Sequence, residues 1–137
     1  MELSGWVRAP AGFSLSAAFT HLDSKNVSNP NDPVGQTCST CYRATLRYDD
    51  ARDRLFAEYE LRGSGDRTND LLGSTVPGFI VHSARAGVTV VRRGRHTQRL
   101  GLAVLNLADA LYAESANVSF FRPETGRSLL VTYDVTF

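Results

Sequence analysis

The decamer Ser128-Leu-Leu-Val-Thr-Tyr-Asp-Val-Thr-Phe137 alternates between apolar and mostly polar residues along its whole length. The residues of one parity are all apolar or aromatic: Leu129, Val131, Tyr133, Val135 and Phe137. Successive side chains of a β-strand point to opposite faces, so this pattern predicts a strand with one apolar face.

The same alternation recurs along the chain, without a long amphipathic helical pattern between its occurrences. Seven segments are predicted as strands: Glu2–Ala9, Phe13–Leu22, Tyr42–Tyr48, Arg54–Arg62, Phe79–Val91, Gln98–Leu107 and Ser128–Phe137. The links are too short or too polar to carry crossover helices, so we expect one antiparallel up-and-down meander spanning residues 1–137. Its first and last strands should be the two edges.

Short and long links alternate along the chain, which separates two possible architectures. Residues 10–12, 49–52 and 92–95 are short links, whereas residues 23–41, 63–78 and 108–127 are long. Outer-membrane β-barrels have short periplasmic turns and long extracellular loops, so the pattern favours part of a transmembrane barrel. A small soluble β-sandwich, binding a partner through its long loops, is the alternative.

Charged residues occupy the parity opposite to the apolar one. Glu58 and Glu60 are spaced to lie on one strand face, a spacing that acid and base catalysis could use. Arginines of the same predicted face offer a different explanation, since cross-strand ion pairs would line a watery lumen. These arginines are Arg43, Arg47, Arg62, Arg85 and Arg99.

The overall charge balance argues against a nucleic-acid partner, because the formal net charge is only +1 and its signs are interspersed. Arg92, Arg93, Arg95 and His96 form the one basic cluster, and Gly94 within it predicts a solvated turn between two strands.

The two cysteines lie close together as Cys38-Ser-Thr-Cys41 in a polar, loop-like stretch. A thioredoxin-like pair needs a strand before it and a helix after it, and a four-cysteine zinc site needs a second pair. Because neither context is present, we predict a disulfide between Cys38 and Cys41.

The histidines His21, His82 and His96 belong to no metal-binding or triad-like motif. We therefore predict no catalytic residues, no metal site and no cofactor, and expect that the protein is not an enzyme.

Three longer stretches resemble the carboxyl-terminal portion of TonB-dependent outer-membrane receptors. Residues 76–90, VPGFIVHSARAGVTV, are similar to the family's Pro-Gly-aromatic strand start, and residues 100–114, LGLAVLNLADALYAE, to its penultimate strand. The latter carries Asn106, Leu107, Asp109 and Tyr112. Residues 120–137, FFRPETGRSLLVTYDVTF, resemble the closing strand, with Pro123, Gly126, Arg127 and Phe137.

This resemblance implies a function in outer-membrane import of a siderophore, haem, cobalamin or a similar nutrient. It implies that Tyr133, Val135 and Phe137 form the signal read by the barrel-assembly machinery, and that outer-membrane lipid surrounds the strands. TonB would act only through a plug region, which nothing here resembles. We therefore expect a fragment that contributes the closing wall and three outer loops of a receptor.

Overall fold

A computed structural model describes residues 1–22, 40–69, 74–114, 116–117, 120–121 and 123–137. Their strands, in chain order, are β1 (Glu2–Arg8), β2 (Phe13–His21), β3 (Thr40–Asp49), β4 (Leu55–Ser64), β5 (Arg67–Asn69), β6 (Ser74–Val76), β7 (Phe79–Arg93), β8 (His96–Leu105), β9 (Ala116–Asn117), β10 (Phe120–Phe121) and β11 (Ser128–Thr136). One seven-stranded sheet has the order β1-β2-β3-β4-β7-β8-β11, and each neighbouring pair is antiparallel.

The all-β meander predicted from the alternation is confirmed, including its edges at β1 and β11. Among the described residues, the sheet is open and does not close on itself. The observed strand bounds differ from the predicted ones by at most two residues. The hairpin of β7 and β8 extends further, to Arg93 and His96, and the long links carry two small hairpins, β5–β6 and β9–β10.

Backbone conformation shapes the short turns at one end of the sheet. Gly12 has φ of +88°, and a Cβ there would lie 2.1 Å from the carbonyl oxygen of Asp49, so this turn requires glycine. Gly94 has φ of +57° and forms a two-residue turn with Arg95. The predicted solvated turn at the basic cluster is therefore confirmed, and all three short turns lie at the end opposite to the long links.

Buried side chains concentrate on one face of the sheet, toward the long-link end. Val81 and Ala103 are buried on the face that also carries the charged residues. Tyr112 and Ala113, from the link after β8, are buried as well, and the Tyr112 ring lies 4.6 Å from that of Phe79. This link therefore folds back over the sheet and covers part of its charged face.

Within the described ranges, no helix has the length and apolar character needed to cross a lipid bilayer.

Candidate functional site: an apolar face and a charged face

The register of the sheet places the apolar parity of all seven strands on one side, which we call the apolar face. The outward residues of the central strands are Leu46, Tyr48, Leu55, Ala57, Tyr59, Leu61, Ile80, His82, Ala84, Ala86, Val88, Leu100, Leu102 and Val104. Leu3, Val7, Phe13, Leu15, Phe19, Leu129, Val131, Tyr133 and Val135 extend this face to the two edges. These positions contain no acidic side chain, lysine or arginine, and Arg93, the register partner of His96, is the one arginine of the described strands on this face, at its short-turn end.

The apolar face is open to the surroundings rather than covered by protein. Leu102, in the middle of β8, is 49% exposed, and its neighbour Val131 on β11 is 61% exposed. Large contiguous apolar surfaces of this kind mark contact with a membrane or with another protein. The face is therefore a candidate interaction surface.

The opposite side, the charged face, carries the predicted ladder of ion pairs. Arg43 pairs with Glu60 at 3.8 Å, and Glu58 accepts hydrogen bonds from Arg47 at 3.2 Å and from Arg85 at 2.9 Å. The side chain of Glu58 is only 13% exposed, so its two arginine partners supply most of its polar contacts. This arrangement supports a structural role for Glu58 within the ladder.

The ladder differs from the sequence prediction at two arginines. Arg62 pairs with Glu114 of the link after β8 instead of with a carboxylate of the sheet. Arg99 is a register partner of Asp134, but it forms no ion pair with any residue that the structure describes. The ladder is therefore centred on β3, β4 and β7.

An aromatic ring packs into the ladder beside a glycine. Phe56 and Gly87 are cross-strand partners, and the Arg47 guanidinium lies 4.7 Å from the centre of the Phe56 ring. A Cβ at Gly87 would come within 2.3 Å of that ring. The absence of a side chain at Gly87 leaves room for the ring next to the strand and beneath the arginine.

Arg62 clamps the link after β8 onto the long-link end of the charged face. Its Nη2 donates to the Tyr112 hydroxyl at 2.9 Å, and its Nη1 donates to Glu114. Burial raises the pKa of the Tyr112 hydroxyl above its usual value, although the nearby Arg62 opposes this. Beside the clamp lies a groove of about 430 Å³, which includes Arg43, Arg62, Phe79 and Glu114.

Sequence reasoning missed this clamp. Arg62 and Glu114 are separated by 52 residues, and neither lies in a motif that would connect them. The one sequence signal in this part of the chain was Tyr112, which belongs to the receptor-like stretch of residues 100–114.

Several residues of the receptor-like motifs form one hydrogen-bonded turn. Asn106 has φ of +52°, and its side-chain amide bonds both the N–H and the carbonyl of Ala110 at 2.9 Å. Asp109, with φ of +53°, accepts a hydrogen bond from the Arg127 N–H at 2.7 Å. This hydrogen bond therefore connects the beginning and the end of the link between β8 and β11, and both of its residues belong to the receptor-like motifs.

The residues predicted as an assembly signal lie at the β11 edge. Tyr133 is on the apolar face and donates to Gln98 Oε1 at 2.9 Å, and Val135 is paired with Gln98 in register. Phe137 is 89% exposed, and its ring lies 5.4 Å from that of His96. The three residues are thus accessible to a partner at one edge of the sheet.

Cys41 is disulfide-bonded and lies at the start of β3. Cys38 lies outside the described residues, so the pairing of Cys38 with Cys41 stays a prediction.

The histidines have local hydrogen-bond partners. His21 Nδ1 lies 2.9 Å from Thr40 Oγ1, and His82 Nδ1 lies 2.5 Å from the Tyr59 hydroxyl. In the part of the chain that the structure describes, no group of three or more histidine, cysteine or acidic side chains is placed to hold a metal ion.

In comparisons with known proteins, no family model, no curated protein and no solved structure matches this chain. The receptor resemblance therefore rests on the motif residues of the sequence.

Proposed function

We propose that this sheet is a segment of the wall of an outer-membrane β-barrel, with its apolar face toward lipid and its charged face toward an aqueous lumen. One observation carries the proposal. The seven neighbouring strands of the sheet present an exposed face on which Arg93, at the short-turn end, is the one acidic or basic residue apart from histidines in the described strands, while paired charges occupy the opposite face.

The distribution of charge fits the energetics of a membrane barrel. A lysine or arginine on the lipid-facing side costs about 2 to 4 kcal/mol at the bilayer midplane, whereas lumen-facing charges are solvated by water. Glu58 and Glu60 belong to the same strand as Tyr59, yet both carboxylates lie on the charged face and both are paired. The charges therefore occupy the side that tolerates them.

The soluble sandwich is the weaker alternative on the same evidence. In a sandwich, Tyr48, Tyr59 and Tyr133 would be buried against a second sheet. Tyr59 is 41% exposed and Tyr133 is 61% exposed. Apart from the main sheet, the described residues form only the two small hairpins of the long links. Exposed aromatics are instead what a membrane-facing wall would present.

We further propose that the barrel is a TonB-dependent receptor importing a siderophore, haem, cobalamin or a similar nutrient. The support is the resemblance in residues 76–90, 100–114 and 120–137, together with the hydrogen bond between Asp109 and Arg127 that links two of these motifs. In such a receptor this segment contributes wall and outer loops, the barrel-assembly machinery acts on its last strand, and TonB acts through a plug region.

Localisation and orientation can be tested in one experiment on the exported chain. Val131 and Thr132 are adjacent on β11 but lie on opposite faces. In a background carrying Cys38→Ser and Cys41→Ser, we expect Val131→Cys and Thr132→Cys to be recovered in the outer-membrane fraction. A water-soluble maleimide should label only the Thr132→Cys variant until detergent is added.

The result that contradicts the proposal is recovery of the folded chain in the soluble periplasmic fraction. Equal labelling of the two variants in intact membranes would also contradict it, because the apolar face would then be in water.

A further inference from the structure

The structure brings the basic cluster of the β7–β8 turn against a second pair of arginines. Arg92 Nη1 donates to the carbonyl of Arg52 at 3.3 Å, and the N–H of Thr89 donates to the carbonyl of Arg54 at 2.7 Å. These bonds hold the turn after β3 beside the end of β7. Five exposed arginines consequently lie at the short-turn end of the sheet, and we call them the arginine rim: Arg52, Arg54, Arg92, Arg93 and Arg95.

The arginine rim carries an excess of positive charge. Among the described residues, none of its side chains forms an ion pair with a carboxylate. Asp50 and Asp53 lie in the same turn region, whereas Asp49 is engaged by Arg47 at 2.7 Å. Asp134 lines the same cavity as Arg54 and Arg92. Five arginines against Asp50, Asp53 and Asp134 still leave the rim with a surplus of positive charge and with guanidinium groups available to a ligand.

The rim borders the apolar face directly. Arg93 is a register partner of His96, two rows beyond Val91 and Gln98, so it lies on the apolar face at its short-turn end. Val90, at the β-bulge of β7, is 60% exposed. A side chain at this boundary can place its aliphatic stem along apolar surface and its guanidinium group among polar groups.

We propose that the arginine rim binds the phosphate groups of anionic glycerophospholipids in the leaflet nearest the short turns. The inference rests on the proposed placement of the apolar face in a membrane, where the short turns would face the periplasm. Arginine suits this partner because its planar fork donates two parallel hydrogen bonds to phosphate. Charge complementarity and continuity with the apolar face select a lipid phosphate as the occupant.

Vesicle flotation of the full chain tests the inference. The chain is diluted from denaturant into vesicles of phosphatidylcholine alone, or of phosphatidylcholine with a minority of phosphatidylglycerol. We expect binding to both, with tighter binding to the anionic vesicles by roughly fivefold for each arginine that reaches the headgroups. Sodium chloride should reduce this preference, because it screens the attraction. Free glycerol phosphate at equal ionic strength should reduce it no further than sodium chloride does.

Three variants test whether the preference for anionic vesicles depends on the arginine rim. Arg93→Gln should lower it about fivefold, whereas Arg93→Lys should largely keep it. Arg127→Gln is the matched control, since Arg127 is an exposed arginine at the opposite, long-link end of the sheet. It should leave the preference unchanged. Circular dichroism of each vesicle-bound variant checks that its β-structure is intact.

The possible failures are distinguishable. Lipid binding by the arginine rim is contradicted if the wild-type chain binds both vesicle types equally. It is also contradicted if Arg93→Gln and Arg127→Gln lower the preference for anionic vesicles equally. Neither result contradicts the proposal that the sheet is part of a membrane wall. If glycerol phosphate lowers the preference for anionic vesicles more than sodium chloride does, the rim recognises free phosphate, and the proposal that its ligand is a lipid is wrong. Failure to float with either vesicle type overturns both proposals.

Discussion

Replacing Gly87 with alanine tests how the charged face is packed. A Cβ at this position would lie 2.3 Å from Phe56 Cε1 and 2.9 Å from Phe56 Cζ. These distances are too short for any real contact, so the Phe56 ring has to leave its place over β7. It would then lose its contact with the guanidinium of Arg47, which lies 4.7 Å from the ring centre.

The expected loss of stability follows from three contributions. Overpacking a well-filled site costs about 1 to 3 kcal/mol. Loss of the arginine–ring contact costs about 0.5 to 1 kcal/mol. Alanine is better than glycine in a strand interior by roughly 0.5 to 1 kcal/mol, which opposes the other two. We therefore expect Gly87→Ala to lower the free energy of unfolding by about 1 to 3 kcal/mol.

Urea unfolding of the chain refolded in detergent micelles, followed by circular dichroism, measures this difference. Gly5→Ala is the matched control, because Gly5 also lies in a strand and a Cβ there would meet no atom within 4 Å. The control should be unchanged or more stable by up to about 1 kcal/mol. In a Phe56→Ala background the clash is gone, so Gly87→Ala should cost far less than in the wild-type chain.

The packing argument fails if Gly87→Ala is as harmless as Gly5→Ala in the wild-type background. It also fails if the cost of Gly87→Ala is the same with and without the Phe56 ring.

Three further predictions concern assembly, ionisation and the disulfide. In the proposed full-length receptor, Phe137→Ser should lower outer-membrane levels measured by immunoblotting, whereas Glu58→Gln should leave them nearly normal; the reverse pattern would contradict the proposed assembly role. Because burial raises the pKa of Tyr112, the wild-type chain should lose stability as the pH rises from about 10 through the folded-state pKa. Tyr112→Phe should lack that part of the alkaline loss in urea titrations at several pH values, and an identical loss in both chains would refute the assignment. Thiol labelling of the unreduced, exported chain should find Cys38 and Cys41 protected, and reduction should cost no more than about 2 kcal/mol because the enclosed loop is short; full labelling before reduction would exclude the disulfide.

The strands and their order could be predicted because the alternation of apolar and polar residues within each strand shows which side chains lie on which face. In residues 54–62 the alternation of Leu55, Ala57, Tyr59 and Leu61 with charged neighbours is a local signal, and it requires no distant contact. Links that are either short or polar then leave an antiparallel meander as the simplest connection. The pairing of Glu58 with Arg47 and Arg85 follows once neighbouring strands are in register.

The clamp on the link after β8 could not be predicted, since it depends on contacts between distant parts of the chain. Tyr112 reaches Arg62 only because the chain turns sharply at Asn106 and Asp109, both with positive φ. Alternation carries no information about such turns. The arginine rim was missed for the same reason: Arg52 and Arg92 become neighbours only through the pairing of β4 with β7.

The central claim is that the apolar face contacts lipid acyl chains, and quenching of tryptophan fluorescence by brominated phospholipid measures this contact directly. In a background of Trp6→Phe, which removes the only native tryptophan, a single tryptophan is placed by Val131→Trp or Leu130→Trp. The two residues are adjacent and apolar but lie on opposite faces of β11. The account predicts strong quenching for Val131→Trp and weak quenching for Leu130→Trp in vesicles. Equal quenching at both positions, or stronger quenching at Leu130→Trp, would contradict it.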